Sequence, residues 1–408
     1  MAGHEIRIDD AALPGTARAP HAGLTLFALA MGGFAIGTTE FASMGILPAF
    51  AAGLHIDEPT AGHVISAYAL GVVIGAPVLA VLGARMSRRI LLIALMALFA
   101  VGNVLSALAP TYGWMLAFRF LSGVPHGAYF GVAALVAASV VPRARRSQAV
   151  SRVLLGLTIA TVMGVPFANT LSLLLGWRWT FATVAVLAVL TMVLVFALAP
   201  KDPPHPEASP LRELGALKRR QVWLTLGIGA VGFGGMFAVY AYLASTLLAV
   251  TGVRAEVIPV VLGVFGVGLT VGNLFGGWAA DRFQMRAAGG LLLWSAASLA
   301  LYPMATAHLG SIMVVVFLVG CGGGLSSVLQ TRLMDVAGEA QTLAAALNHS
   351  AFNVANAVGP WLGGMAVAAG LGWPSTGWVG CGLALGGFVI WLVASADPQG
   401  KLGEAPQA

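Results

Sequence analysis

The sequence predicts an all-α membrane protein with twelve transmembrane helices in two pseudo-symmetric halves of six. Three observations support this fold class. Hydrophobic residues make up 59% of the 408 residues and charged residues only 9%, a balance that soluble globular domains do not show. The apolar residues form twelve separate runs, each long enough to cross a hydrocarbon core of about 30 Å. Landmark residues of the first six runs recur in the last six.

Short polar loops separate the apolar runs and hold most of the charges. Residues 1–22 precede the first run and are predicted to form a cytoplasmic tail, since they lack the charged start and cleavage site of a signal peptide. The predicted spans, numbered 1 to 12 in chain order, lie near residues 24–50, 61–82, 90–109, 114–141, 153–175, 179–199, 222–250, 256–280, 288–307, 311–331, 342–370 and 375–395.

The distribution of Lys and Arg predicts the orientation. If both termini are cytoplasmic, nearly all of these residues fall on the cytoplasmic side, as the positive-inside rule requires. Arg178 and Arg254 fall on the other side, and Arg119 falls inside span 4. We therefore expect a multi-pass protein of the plasma membrane, the bacterial inner membrane. Topology explains the basic loops, so we expect no nucleic-acid partner.

Residues that lie 197 positions apart indicate an internal duplication. The predicted parts are tails at 1–22 and 397–408, six-helix halves at 23–200 and 221–396, and a proline-rich, basic cytoplasmic linker at 201–220. Such duplication places a substrate between the halves near the midplane. The matching pairs are Gly37 and Gly234, Gly71 and Gly268, Gly75 and Gly272, Arg85 and Arg282, Gly123 and Gly320, and Gly127 and Gly324.

Two charged side chains are predicted to lie deep in the bilayer. Glu40 is the ionisable residue of the run from Leu24 to Phe50. A carboxylate at that depth costs on the order of 3 kcal/mol, so it is expected to mark an ion or substrate pathway. Arg119 is the second, and on a helix it shares one face with His126.

Three sequence strings resemble the major facilitator superfamily. The string Gly37-Thr-Thr-Glu40-Phe-Ala-Ser-Met-Gly-Ile-Leu-Pro48 is similar to the first-helix signature of its twelve-span drug:proton antiporter branch. This branch includes arabinose-efflux-permease-like and chloramphenicol-exporter-like members. Ser122-Gly-Val-Pro-His-Gly-Ala-Tyr-Phe-Gly131 and Gly176-Trp-Arg-Trp-Thr-Phe181 resemble its fourth span and the loop before its sixth. The resemblance implies that spans 1, 4, 7 and 10 line a central cavity.

That cavity would bring Arg119 towards Glu40. The hypothesis is that Glu40 carries an exchangeable proton, while Arg119 tunes the proton affinity of the carboxylate or competes with substrate for it. The alternative is a static ion pair that only fixes helix packing. His126 could relay protons or simply hydrogen-bond to a neighbour.

Further polar residues are predicted to line the cavity. His349, Asn353 and Asn356 recur at helical spacing on span 11, where they could face substrate or join helices. Tyr240 and Tyr242 point to different faces of span 7, so at most one should meet substrate. Tyr129 of span 4 completes the predicted set.

A loop motif of the family, a glycine and an aspartate followed by basic residues, occurs twice. We expect these charges either to bridge helix ends as a cytoplasmic gate or simply to follow the positive-inside rule. The first copy has Ala84 at the aspartate position. The motif residues are Arg85, Arg88 and Arg89 in the first copy, and Gly277, Asp281, Arg282 and Arg286 in the second.

Span 5 carries the glycine and proline pattern associated with antiporters of this branch. Gly156 and Gly164 are expected to pack this helix against the other half, and Pro166 permits it to bend. The pattern could equally be structural. Gly359 and Pro360 of span 11 are the predicted counterpart.

The leading function is secondary active transport, namely proton-coupled efflux of small neutral or amphipathic molecules, drug-like or sugar-like, by a monomer. A proton-coupled uptake symporter or a facilitator on the same fold remains the alternative. A polytopic enzyme or sensor is disfavoured, because the spans carry no paired acids or nucleophile with a base. No phosphate-binding loop accompanies them. Cys321 and Cys381 lie in predicted spans, and we expect neither a metal nor a cofactor.

Overall fold

The computed structural model describes residues 22–83, 85–142, 146–203, 217–337 and 341–397. Within these ranges the chain is helical and contains no strand. Twelve helices of these described ranges are long and apolar enough to cross a membrane, which confirms the predicted fold class. They are Ala22–Gly45, Glu58–Leu79, Arg88–Leu108, Tyr112–Ser139, Ala149–Leu175, Arg178–Leu198, Arg220–Ala249, Ala255–Ala280, Met285–Ala305, Leu309–Leu333, Leu347–Leu371 and Ser375–Ala396.

Several spans are interrupted where the sequence disfavours a regular helix. Span 4 is broken beside Pro125, between the helices Tyr112–Gly123 and His126–Ser139. Span 5 contains one wide π turn, Ala160–Gly164, directly before a helix with proline in its first turn. Such turns often occur at functional sites. Span 7 consists of three helices, Arg220–Gly232, Gly234–Ala241 and Leu243–Ala249.

The internal repeat of the sequence recurs in the packing of the helices. A methyl group added to Gly71 of span 2 would overlap the carbonyl oxygen of Phe120 in span 4. Gly268 meets the carbonyl oxygen of Phe317 in the same way, and both residues lie 197 positions further along. The same relation holds for Gly75 with Val124 and Gly272 with Cys321, and for Gly123 with Tyr68 and Gly320 with Phe265. These glycines let helix backbones touch, so the duplicated sequence builds the same helix crossing twice.

Hydrogen bonds between helix ends define the two ends of the bundle. Thr25 of span 1 donates to the carbonyl oxygen of Leu198 in span 6 at 2.7 Å, and Gln221 of span 7 donates to that of Ala394 in span 12 at 3.2 Å. We call this end, where spans 1 and 12 begin and finish, the terminal end. Arg178 of span 6 donates to the carbonyl oxygen of Ala109 after span 3 at 3.2 Å at the other end, which we call the opposite end.

Asp202, just beyond span 6, holds the start of span 3. Its carboxylate accepts hydrogen bonds from the backbone amides of Arg88 and Arg89, at 2.8 and 3.3 Å, and from the hydroxyl of Ser87 at 2.8 Å. Partial burial acts to raise the pKa of Asp202, but these hydrogen bonds outweigh it and leave the pKa below its ordinary value. A carboxylate from a distant segment thus caps the helix next to position 84, where the motif lacks its own aspartate.

We predict that Asp202→Ala destabilises the protein by about 1 kcal/mol, the usual cost of a lost helix cap, because three donors lose their acceptor. Because the folded-state pKa is depressed, the stabilisation is present above the unfolded pKa and is lost as pH falls through the folded pKa. Thermal unfolding in detergent should therefore show a lower melting temperature at neutral pH and a shrinking difference in acid. Glu256→Ala, which removes an exposed acid 4.0 Å from Arg254, is the control and should leave the melting temperature unchanged. A pH-independent difference for Asp202→Ala would contradict this account.

Candidate functional site

The carboxylate of Glu40 joins the first six spans to the last six. Its side chain is buried, with 6% of its surface exposed. Its Oε1 accepts a hydrogen bond from the Asn356 side-chain amide of span 11 at 3.1 Å. Hydrogen bonds to an ionised acceptor are about twice as strong as neutral ones. The bond therefore links the two sets of helices through a group whose charge can change.

Arg119 is fully buried on the other side of span 1. Its Nη1 donates to the hydroxyls of Thr39 at 3.1 Å and Ser122 at 3.4 Å. The guanidinium carbon also lies 4.4 Å from the ring centre of Tyr68 and 5.2 Å from that of Phe181. Cation–π contacts of this kind stabilise a desolvated cation. Arg119 is thus held by hydroxyls and aromatic rings.

Glu40 and Arg119 do not form an ion pair within 4.0 Å among the described residues. Consecutive residues of a helix point about 100° apart, so Thr39 can face Arg119 while Glu40 faces span 11. Thr39 also donates to the Asn103 side chain of span 3 at 2.9 Å. The static ion pair considered as an alternative is therefore not formed in this structure.

Several polar atoms near this centre are buried without a hydrogen-bond partner. They include both donors and acceptors: Nε and Nη2 of Arg119, Oδ1 of Asn353, Oδ1 of Asn356 and the hydroxyl of Tyr240. Buried polar groups are normally satisfied, and each exception needs an explanation. The arrangement leaves donors on span 4 and hydrogen-bonding atoms on spans 7 and 11 available to a polar ligand.

His126 is buried directly after the break in span 4, as the first residue of the helix His126–Ser139. Its Nδ1 lies 2.9 Å from the hydroxyl of Tyr68, which also stacks on Arg119. His126 therefore contacts the surroundings of Arg119, and its hydrogen bond to Tyr68 does not reach Glu40. The expected relay to Glu40 remains a prediction.

His349 of span 11 stacks on Phe130 of span 4, with ring centres 5.2 Å apart and planes 5° from parallel. Asn353, one turn further along, donates to the His349 carbonyl oxygen at 2.9 Å. Of the two roles considered for the span 11 stripe, joining helices is observed, and facing substrate stays a prediction. Asn356 joins helices, whereas Asn353 keeps an acceptor without a partner.

Tyr240 and Tyr242 have different surroundings, as their spacing predicts. Tyr240 is buried against the rings of Phe41 and Phe265, with centres 5.7 and 4.2 Å away, and its hydroxyl has no partner. Tyr242 instead donates to the carbonyl oxygen of Pro360 at 2.9 Å. Tyr240 is therefore the one of the two that keeps a free hydroxyl.

Tyr129 is buried within the first six spans. Its hydroxyl donates to the carbonyl oxygen of Leu29 in span 1 at 2.9 Å, and its ring covers Gly32. These contacts join spans 4 and 1. A place in the substrate cavity stays a prediction for this residue.

Span 5 packs differently from the sequence-based expectation. A methyl group at Gly156 would overlap the carbonyl oxygen of Ala30, and one at Gly164 the hydroxyl of Thr38. Both glycines therefore face span 1 of the same six spans, and the expected packing against the other half is wrong for them. Span 5 does contact the last six spans through other residues: Gly266 of span 8 lies against the Thr161 carbonyl group in the π turn, and Gly263 lies against Pro166. Gly359 likewise contacts the backbone of Gly234 within the last six spans.

The motif residues near the terminal end have different surroundings. Arg85, Arg282 and Arg286 are exposed. Arg89 donates to the carbonyl oxygen of Phe196 and lies 4.8 Å from that ring centre, so it joins spans 3 and 6. Gly277 faces open space, and the side chain of Asp281 lies outside the described part of the structure. The gate therefore remains a prediction.

At the opposite end the two sets of helices meet through groups that the sequence-based prediction missed. Glu58, half-buried at the start of span 2, accepts a hydrogen bond from the hydroxyl of Ser245 in span 7. Ser66 of span 2 donates to the carbonyl oxygen of Ala357 in span 11 at 2.9 Å. Together with the bond from Asn356 to Glu40, these contacts hold the first six and the last six spans against each other from the middle of the bundle to the opposite end.

Some of the residues that the sequence-based prediction missed could have been recognised from the sequence, and others could not. Asn103 and Tyr68 are polar residues inside apolar runs and could have been proposed as partners of Arg119. Glu58 and Asp202 lie at span ends, where acids are common. Nothing local marks these two as contacts with distant helices.

Comparison with known proteins gives a consistent result. The family model of the Major Facilitator Superfamily matches residues 29–287 and 226–408. The chain is 40% identical over 378 residues to the inner membrane transport protein YdhP of Escherichia coli strain K12, covering 92% of this chain and 97% of the relative. It is 34% identical over 348 residues to a chloramphenicol resistance protein of Streptomyces lividans, covering 83% and 87%.

Solved structures of transporters share the fold. One of them is a bacterial homologue of the human lysosomal transporter Spinster in an inward-facing, unoccupied conformation. The TM-score is 0.75 at 16% sequence identity, and the match covers 95% of this chain and 99% of the other. At that identity the likeness concerns the fold alone.

We predict that Ser245→Ala loosens the opposite end. Removing the donor leaves the Glu58 carboxylate half-buried without this partner, and a hydrogen bond to a charged group contributes about 1.5 to 3 kcal/mol. Amide hydrogen exchange in residues 58–66 and 242–250 should become roughly tenfold faster. Ser311→Ala is the matched control, because Ser311 bonds only to Ala305 and His308 of its own hairpin. Equal exchange in both variants would show that Ser245 does not hold the closure.

Proposed function

The chain belongs to the major facilitator superfamily, and from this premise we propose that it is a proton-coupled secondary transporter that exports small neutral or amphipathic molecules. The observation that carries the proposal is the hydrogen bond between Glu40 and Asn356. It joins the two sets of helices through a buried carboxylate, and such residues in membrane spans mark ion pathways.

Protonation of Glu40 would change the cost of closing the opposite end. Burying an ionised carboxylate away from water is unfavourable, whereas burying the neutral acid costs much less. A proton taken up on the outer side would therefore favour closure at that end. After release of the proton towards the terminal end, the ionised carboxylate would be held by the Asn356 amide.

Substrate would then act on the same link. A ligand that hydrogen-bonds to Asn356 competes with Glu40 for its amide and weakens the bond between spans 1 and 11. The loaded, deprotonated protein could then open at the opposite end, where a new proton completes the exchange. Proton and substrate would alternate because both act on this single contact, in the manner of alternating access between repeats.

Arg119 supplies the second charge in this proposal. Its Nε and Nη2 have no partner, so they can donate to an oxygen of the substrate, or to Glu40 once Asn356 is engaged. Arg119 would thus compete with Asn356 for the carboxylate during the cycle.

The surroundings favour a neutral or amphipathic substrate with aromatic character. The rings of Phe237 and Tyr240 pack against Phe41, the residue after Glu40, with ring centres 6.1 and 5.7 Å from that of Phe41. The unpartnered atoms of Asn353 and Asn356 offer hydrogen-bond acceptors. Similarity to a relative named for chloramphenicol resistance supports the same class.

We further propose that the protein lies in the bacterial inner membrane with both termini in the cytoplasm and functions as a monomer. A relative named as an inner membrane transport protein supports the location. The excess of Lys and Arg in the loops of the terminal end supports the orientation. The unit that would bind substrate lies within one chain, between its own two halves.

We predict that Glu40→Gln abolishes transport driven by a pH gradient while the protein remains folded and inserted. The amide is similar in shape but cannot exchange a proton. Flux of radiolabelled chloramphenicol into or out of proteoliposomes, with growth protection against a panel of neutral amphipathic compounds, measures the effect. Glu256→Gln serves as the control and should transport normally, because Glu256 is an exposed acid at the start of span 8. Full gradient-driven flux in Glu40→Gln would exclude Glu40 as the coupling site.

We also predict that Arg119→Lys lowers transport at least tenfold although the charge is kept. The ammonium group lacks the planar fork that contacts Thr39 and Ser122 while lying over Tyr68. Binding of the transported compound to detergent-solubilised protein should weaken in parallel. A normal transport rate would limit Arg119 to a packing role.

A further inference from the structure

An apolar groove lies on the last six spans, away from the Glu40 site. Spans 8, 9 and 10 line it, and it has a volume of about 730 Å³. Its walls include Phe275, Phe283, Trp294 and Phe317. Phe275, Phe283 and Trp294 are about half exposed, so the groove opens towards the bilayer and not towards the interface between the two halves.

The groove has the length of a lipid acyl chain. The helix of span 8 continues to Phe283, and along this helix, Ile258–Phe283, the lining runs from Val271 to Phe283, about 18 Å at 1.5 Å per residue. This is more than half of the roughly 30 Å hydrocarbon core. The groove therefore extends from the middle of the membrane to its surface at the terminal end.

A positive charge stands where the groove reaches that surface. Arg286, in the first turn of span 9, is part of its lining and is exposed. In the described part of the chain, no hydrogen bond or ion pair engages its guanidinium group. Arg282, also exposed, lies in the last turn of the helix Ile258–Phe283. An apolar groove that ends at a cation on the membrane surface is complementary to an anionic phospholipid. The groove matches the acyl chain, and the cation matches the negatively charged headgroup.

We propose that this groove binds one anionic phospholipid, with an acyl chain along spans 8 to 10 and the phosphate on Arg286. An empty slot facing hydrocarbon would forfeit dispersion contacts along its walls, so a chain fills it. The charge of the headgroup provides the selectivity, because basic pockets between spans attract anionic lipids.

Gly290 gives a way to test the acyl-chain part of the site. It lines the groove, and no atom lies within 4 Å of the position that a Cβ would take. Gly290→Leu therefore places a side chain in the groove from a Cβ position that no other atom occupies. Gly272, also in the lining, is unsuitable because it touches the backbone of Cys321.

The test is native mass spectrometry of the full chain, titrated in detergent with phosphatidylglycerol or, separately, with phosphatidylcholine. The unaltered protein should retain one phosphatidylglycerol at concentrations where phosphatidylcholine is not retained. Arg286→Gln should weaken this binding about fivefold, the effect of one basic residue on an anionic lipid. Gly290→Leu should weaken the binding of both lipids.

Matched controls separate the site from general lipid contact. Arg254→Gln removes an exposed arginine at the opposite end. Gly382→Leu adds a side chain at a glycine of span 12 where no atom lies within 4 Å of an added Cβ. Both should bind phosphatidylglycerol as the unaltered protein does. Equal retention of the two lipids, or unchanged phosphatidylglycerol binding in Arg286→Gln, would overturn the proposal.

Cys321 gives a second readout in the groove wall. In a Cys381→Ser background, phosphatidylglycerol in nanodiscs should slow the reaction of the Cys321 thiol with a lipid-soluble maleimide. Phosphatidylglycerol should not slow this reaction in a variant that also carries Arg286→Gln. Equal slowing by phosphatidylcholine would indicate annular lipid and would also overturn the proposal.

Discussion

The hydrogen bond between Glu40 and Asn356 is the contact on which the functional account depends. A carboxylate in the hydrocarbon region is stable only with a polar partner, and here that partner comes from the other half of the molecule. The protonation state of one side chain is therefore connected to the distance between two helices. Closure at the opposite end, through Glu58 and Ser245, reinforces the same arrangement.

The internal repeat supplies a rigid frame for this contact but not its chemistry. Glycines 197 residues apart bring spans 2 and 4, and spans 8 and 10, into the same backbone contacts. The polar site breaks this symmetry. Phe237 lies 197 residues after Glu40, and Val316 lies 197 residues after Arg119. One half thus carries the charges, while the other contributes the amides and an aromatic surface, which suits a site where a single proton is exchanged against a neutral molecule.

Hydropathy and the repeat were sufficient to predict the fold class. Hydropathy is a property that each span shows by itself, and the repeat is visible when the sequence is compared with itself. They also predicted that Glu40 and Arg119 are buried. The partner of each charge could not be predicted, since a shift of one residue turns a side chain by about 100° on a helix. Thr39 accepts a hydrogen bond from Arg119, and Glu40 accepts one from Asn356 instead. The same limit explains Gly156 and Gly164, whose spacing indicates tight packing but not the helix they contact.

The central claim is that the Glu40 carboxyl group exchanges the coupled proton while bonded to Asn356. Infrared difference spectroscopy of the reconstituted protein during a pH titration tests it most directly, because it observes a protonated carboxyl group without requiring a known substrate. The account predicts a carboxyl band that titrates in the unaltered protein, changes frequency in Asn356→Ala and is absent in Glu40→Gln. The same titrating band in Glu40→Gln would contradict it.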